Sequence, residues 1–108
     1  MEQVSEVEVA VHSPVRKGNK VLIRTVTHYH TGIIESFSKD EIVLAQACWI
    51  ADTGRWSHCL EQGASVFREV EPYPWSEEDP SKRCYCTVNR GAIVDVQDWL
   101  HDLPVVTQ

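Results

Sequence analysis

The chain lacks any apolar run approaching the roughly 18 residues of a membrane-spanning helix. Its first residues also lack the basic start and apolar core of a signal peptide. Those two absences give the expectation of a cytoplasmic protein with no membrane partner. Positive charge is scarce as well: 10 Lys and Arg stand against 16 Asp and Glu, for a formal net charge of −6. Non-specific nucleic-acid binders draw their affinity from phosphate contacts and are expected to be basic, so duplex binding is disfavoured. There is no P-loop, no H-E-x-x-H and no serine nucleophile elbow. His58 and Cys59 are adjacent, so on a helix their side chains diverge by about 100°. Asp95 and Asp98, three apart on a strand, fall on opposite faces. The expectation is a non-enzymatic protein with no catalytic residues. Internal repeats and low-complexity tracts are absent too. At 108 residues the chain is one domain, 1–108, marginal enough alone for a homo-oligomer to be expected.

Paired C-x-x-C spacings are also missing. Four cysteines are present, Cys48, Cys59, Cys84 and Cys86, but structural zinc sites show two close pairs, or one pair followed by spaced histidines. Cys84-Tyr85-Cys86 reads as C-x-C on a strand, with both sulfurs on one face. Cys48 is expected in a strand and Cys59 in a short helix, all four as reduced structural thiols. No metal and no cofactor is assigned.

What is present reads mainly as β. Residues 4–11 alternate apolar and polar side chains, as an edge strand or a pairing arm would, within an arm over 1–17. Residues 20–27 and 30–38 read as strands, with Gly32 marking a bulge or strong bend. Ser38-Lys39-Asp40-Glu41 makes a polar turn into a strand over 42–50. Trp56, Cys59 and Leu60 then fall at i, i+3 and i+4 before Gly63, predicting a helix of about two turns. A strand over 66–71 follows. Residues 72–83, with Pro72, Pro74 and Pro80 around Glu77-Glu78-Asp79, read as an acidic, proline-rich loop. Asn89-Arg90-Gly91 predicts the turn of a terminal hairpin over 84–98. Bent antiparallel strands, short polar turns and one short helix suit a small SH3-like or Sm-like antiparallel barrel, or a strongly bent sheet packed on the helix.

Residues 21–56 resemble a family of small bacteriophage and prophage proteins of uncharacterised function. The shared features are Arg24-Thr25 late in the first strand, His30-Thr31-Gly32, and Val43-Leu44 in a strand running to Trp49. A short helix from Leu60 to the Gly63 stop completes the likeness. Residues 72–83 and the Asn89-Arg90-Gly91 turn have no counterpart in that pattern. The resemblance implies a phage origin, hence the cytoplasm of a host cell, and a compact β-fold. It implies no activity.

The candidate site rests on Trp49-Ile50-Ala51-Asp52-Thr53-Gly54-Arg55-Trp56, which sets two indoles and a guanidinium around a glycine turn. Trp49 and Trp56 could clamp a base while Arg55 neutralises a phosphate; the plain alternative is core or interface packing. Arg24, among apolar neighbours, either pairs with an acid such as Glu35 or binds a phosphate or carboxylate bidentately. His28 and His30 share a strand face, and a divalent metal there would need further ligands from His58, Cys59 or a distant acid. Net charge is locally reversed, since residues 15–39 hold Arg16, Lys17, Lys20, Arg24 and Lys39 against Glu35. The expected ligand-binding set is Arg24, Tyr29, His30, Trp49, Arg55 and Trp56. The leading expectation is a phage protein that binds a small anionic, nucleotide-type ligand, sequestering a bacterial defence signal. The alternative is a structural or protein-interaction module, a virion accessory or an inhibitor of a host protein. A single-stranded nucleic-acid binder comes behind both.

Overall fold

The computed structural model describes residues 12–107. The expected strand over 4–11 lies outside them. Among the described residues six strands form one antiparallel sheet: β1 (Lys20–Thr25), β2 (Tyr29–Phe37), β3 (Glu41–Asp52), β4 (Arg68–Pro72), β5 (Cys86–Asn89) and β6 (Ile93–Asp98). Among the described residues one α-helix, α1 (Trp56–Gln62), follows β3. Its C-cap is Gly63 at φ 88°, a conformation glycine adopts without strain. No helix among the described residues is long and apolar enough to cross a membrane.

The strand order is β4-β3-β2-β1-β6, with β5 also pairing β3. At 12 residues, β3 is about 40 Å long, enough to seat two short partners end to end. β5 lies against Glu41 to Leu44, and β4 against Cys48 to Asp52. Between the two stretches Gln46 takes a positive φ of 51°, and the β2–β3 register slips between Thr31 and Ile33. Gly32 sits at that slip. A Cβ there would come within 3.0 Å of the Leu44 Cβ and 3.2 Å of the Ala45 carbonyl oxygen. The bend anticipated at Gly32 is therefore a close approach of β2 to β3 that favours glycine.

The predicted terminal hairpin is corrected. β5 pairs with β3 and β6 with β1, and the two never pair with each other. Asn89 stays extended, at φ −70° and ψ 129°, and its Oδ1 accepts from the Gly91 N–H at 2.7 Å. The result is a 3-10 turn over Arg90–Ala92 rather than the left-handed turn a tight hairpin needs. The Arg90 N–H donates to the Asp40 carbonyl at 2.9 Å, and the Val26 N–H to that of Ala92 at 3.2 Å. One short turn thus touches both loops that flank β2. The sheet curls far enough to bring its two edges to it, although no ladder closes them.

Both faces of the sheet are buried. Val21, Ile23, Ile34, Ile42, Leu44, Cys86 and Val88 pack on one face. Leu22, Cys48, Ile50 and Val70 of β4 pack on the other, beneath Cys59 of α1, Phe67 and Trp99. This is why β1 reads as an unbroken Val-Leu-Ile run instead of alternating with polar residues. The second face is closed by the segment after β6: the Trp99 indole stacks on Phe67 at 5.4 Å, and its Nε1 donates to the Asp102 carbonyl.

Candidate functional site

Alternation along the strands divides the expected ligand set. Arg24 lies directly opposite Tyr29 on β2 and Asp95 on β6, so these three project from one face. Trp56, in the first turn of α1, closes over them. The Arg24 guanidinium carbon is 4.7 Å from the Trp56 ring centroid, and Tyr29 lies 5.9 Å from it at 30°. Arg24 Nε and Nη2 both donate to the Asp95 carboxylate, a fork-to-fork pair. Hydrogen bonding to Asp95 pushes the guanidinium pKa further up, and the same bond holds the Asp95 carboxyl below its usual value. Arg24 is committed twice, to an acid and to an indole. Its acid is Asp95 and not Glu35, because Asp95 faces it in register while Glu35 is exposed beyond the last β1–β2 pair, Lys20 with Ile33.

His30 and Trp49 are cross-strand partners on the opposite face. His30 is 5% exposed, and burial, with a smaller push from His28, lowers its pKa to about 4. The two imidazoles meet edge to face, with Nε2 atoms 3.0 Å apart. His28 also packs 5.9 Å from the Trp49 ring. Behind His30 lie the Cys86 sulfur, 3.9 Å from Nδ1, and the Tyr73 ring at 6.3 Å. Burial raises the Cys86 thiol. Both members of this Cys–His contact are thus held neutral, the reverse of the ion pair that thiol catalysis uses.

Arg55 stands apart from both groups. An Asx turn, with the Gly54 N–H donating to Asp52 Oδ1 at 2.7 Å, presents it at the N-cap of α1. Its exposed side chain has no partner among the described residues. The structure therefore brings Arg24, Tyr29 and Trp56 together on one face, His30 and Trp49 on the other, and leaves Arg55 in solvent.

Trp49 opens onto the acidic, proline-rich segment expected as a loop over residues 72–83. Trp49, Glu71, Pro72, Tyr73 and Pro74 line a shallow depression of about 410 Å³. A second, of about 340 Å³, shares Pro72 and Tyr73 and extends over Ala47 to Trp75 and Glu77. Trp75 is fixed by its Nε1 donating to Glu77 Oε1, by the Tyr85 ring at 5.1 Å and by the Arg83 guanidinium at 5.2 Å. Arg83 is itself spent on the Ser76 and Glu77 carbonyls. The charged groups lining the two depressions are carboxylates, Glu71 and Glu77. The signal that could have found this cleft is the aromatic and acidic density of Glu71-Pro72-Tyr73-Pro74-Trp75. A third depression, of about 600 Å³, includes Lys20, whose Nζ already donates to the His101 carbonyl.

The cysteines are free thiols: Cys48, Cys59 and Cys86 buried, Cys84 exposed. Burial raises the Cys48 thiol to about 12 and that of Cys59 as well. Cys84 precedes β5 and is exposed whereas Cys86 is buried; the two thiols still lie close enough for Cys84 to add to the upward push on Cys86. Among the described residues no three or more His, Cys, Asp or Glu side chains converge as metal ligands would. Asp98 is occupied by Asn19 and Arg16. Comparison of the chain with protein-family models, with curated proteins and with solved structures returns no match.

Proposed function

We propose that this chain is a non-enzymatic protein-interaction module, built on a small SH3-like barrel, that docks an extended basic polypeptide segment in the cleft of Trp49, Tyr73 and Trp75. The observation that carries this reading is the lining of that cleft. Aromatic faces and prolines supply contact area, and the charged groups along it are the carboxylates Glu71 and Glu77. Such a surface attracts cations through the Trp49 ring and through the carboxylates, the Trp75 ring being already covered by Arg83. An overall charge of −6 adds long-range steering of the same sign. The barrel assignment rests on the curled order β5-β3-β2-β1-β6 with a 3-10 turn leading into the last strand. Residues 53–85 are then an insertion on that framework. The resemblance of residues 21–56 to phage proteins makes an inhibitor of a host protein, acting in the host cytoplasm, the natural setting.

Binding to a tiled peptide array tests this directly. Capture should favour peptides rich in Lys and Arg and fall at least tenfold in Trp49→Ala and in a Glu71→Lys, Glu77→Lys double variant. Equal capture by the double variant would sink the reading.

A second reading keeps the small anionic, nucleotide-type ligand, and one observation favours it: the partnerless guanidinium of Arg55. Arg24 is already neutralised by Asp95, and Glu71 and Glu77 oppose an anion at Trp49. An anion site would therefore draw its remaining cations from a second copy of the chain, in a homo-oligomer. Native mass spectrometry of gently purified protein discriminates the two. An oligomer carrying a few hundred daltons per site, lost in Arg55→Ala, favours the anion; a bare species that binds basic peptides favours the module.

A further inference from the structure

The approach of His28 to His30 is not used by either reading above. The two residues flank Tyr29 at the start of β2, so strand alternation turns both imidazoles to one side. Their Nε2 atoms are 3.0 Å apart. Two imidazole nitrogens bound to one ion at about 2.0–2.1 Å stand roughly 3.3 Å apart at a tetrahedral angle and about 2.9 Å apart at a right angle. The observed separation lies between those values. We propose that His28 and His30 chelate a divalent transition-metal ion, Zn2+, Ni2+ or Cu2+, through their Nε2 atoms at the edge of the aromatic cleft.

The outer contacts match that use. His28 Nδ1 is 2.7 Å from Thr27 Oγ1, and His30 Nδ1 is 3.9 Å from Cys86 Sγ. A ligating histidine needs its second nitrogen held in this way, so that the proton resides there and the ring is aimed. Cys86 occupies the Nδ1 side and is not itself a ligand. His30 is fixed by burial, while His28 is only partly buried and leaves a path for the ion. Neither His58 nor Cys59 completes the set: His58 is exposed on α1, and Cys59 belongs to the core on the other face of the sheet. With no third protein ligand among the described residues, the remaining positions go to water or to a donor on a bound partner. The site is a two-point chelate, weaker than a structural four-ligand centre. In the absence of metal one Nε2–H donates to the other Nε2. Metal capture moves that proton to Nδ1 of the same ring, with no net proton released by the pair.

The test is a titration of protein free of any histidine tag with Zn2+ by calorimetry, and with Ni2+ by tryptophan fluorescence. Trp49 lies 5.9 Å from His28 and reports the paramagnetic ion by quenching. One saturable equivalent per chain is expected, weakened at least tenfold in His28→Ala and unchanged in His58→Ala. Equal affinity in His28→Ala, loss in His58→Ala, or no saturable binding of either ion overturns the proposal. Long-range nitrogen NMR on the wild type provides a check that needs no variant. Zn2+ should shift Nε2 of both His28 and His30, and shifts confined to other histidines would refute it.

Discussion

Acidification should destabilise the protein well above the pH at which its carboxylates protonate, and His30 is the cause. Its pKa falls from 6.5 to about 4 in the folded state, first through burial and then through the neighbouring His28. The folded chain therefore disfavours the imidazolium, whereas the unfolded chain accepts a proton near pH 6.5. Stability from this group is complete above that pH and is lost as pH falls towards 4. At 1.36 kcal/mol per unit, the loss is about 3 kcal/mol by pH 4 and about 1 kcal/mol at pH 5.5. Asp79 and Asp95, both lowered from 3.8, contribute stability that is lost only at more acid pH. The window from 7.5 to 5.5 thus isolates histidine. Urea unfolding at several pH values across that window, for the wild type and His30→Gln, measures the effect. The wild type should lose about 1 kcal/mol more than the variant at constant m-value. Parallel pH profiles for the two proteins would refute the assignment of a buried neutral imidazole.

Three further substitutions probe the architecture. Gly32→Ala places a methyl 3.0 Å from the Leu44 Cβ and 3.2 Å from the Ala45 carbonyl oxygen; it should cost about 1–3 kcal/mol by urea unfolding. Trp99→Ala removes an indole 2% exposed and stacked on Phe67, with an expected loss of about 3–5 kcal/mol and a lowered thermal midpoint. Arg24→Lys keeps the charge but loses the fork to Asp95 and the plane over Trp56. With the pair partly solvated, the expected loss is much smaller than that of Trp99→Ala, read from the same unfolding curves.

The framework was largely legible. Apolar and β-branched runs located β1, β2 and β3, the polar Ser38 to Glu41 turn joined the latter two, and Gly63 stopped α1 where the i, i+3, i+4 spacing ended. The terminal hairpin failed because an Asn-x-Gly signal caps a 3-10 turn as well as it makes a hairpin. Only the long-range pairing of β6 with β1 decides between them. The cover over Leu22 and Ile50 was illegible for a similar reason, since Trp99 reaches the sheet from beyond the last strand. In the site, parity alone separates Tyr29 from His30, so the split of the candidate set could have been read from the strand. The Arg24–Asp95 partnership could not, because it spans 71 positions. Tyr73 and Trp75 were hidden by their prolines, which mark irregular backbone without showing that the backbone can build a surface.

The double seating of β4 and β5 on β3 has a consequence for how such a chain can diversify. The excursion over residues 53–85 leaves one strand and returns to the same edge of that strand. Cys59, Phe67 and Val70 hold it to one face of the sheet and Tyr73 packs on the core of the other, while Trp75 and Glu77 stand at the rim of the cleft. Selection can then redraw that rim, lengthening it or exchanging Trp75 and the acidic residues, without disturbing the pairing of β1, β2 and β6. A lineage built this way would keep the framework and the three anchors nearly constant while its recognition surface drifted from one target to the next.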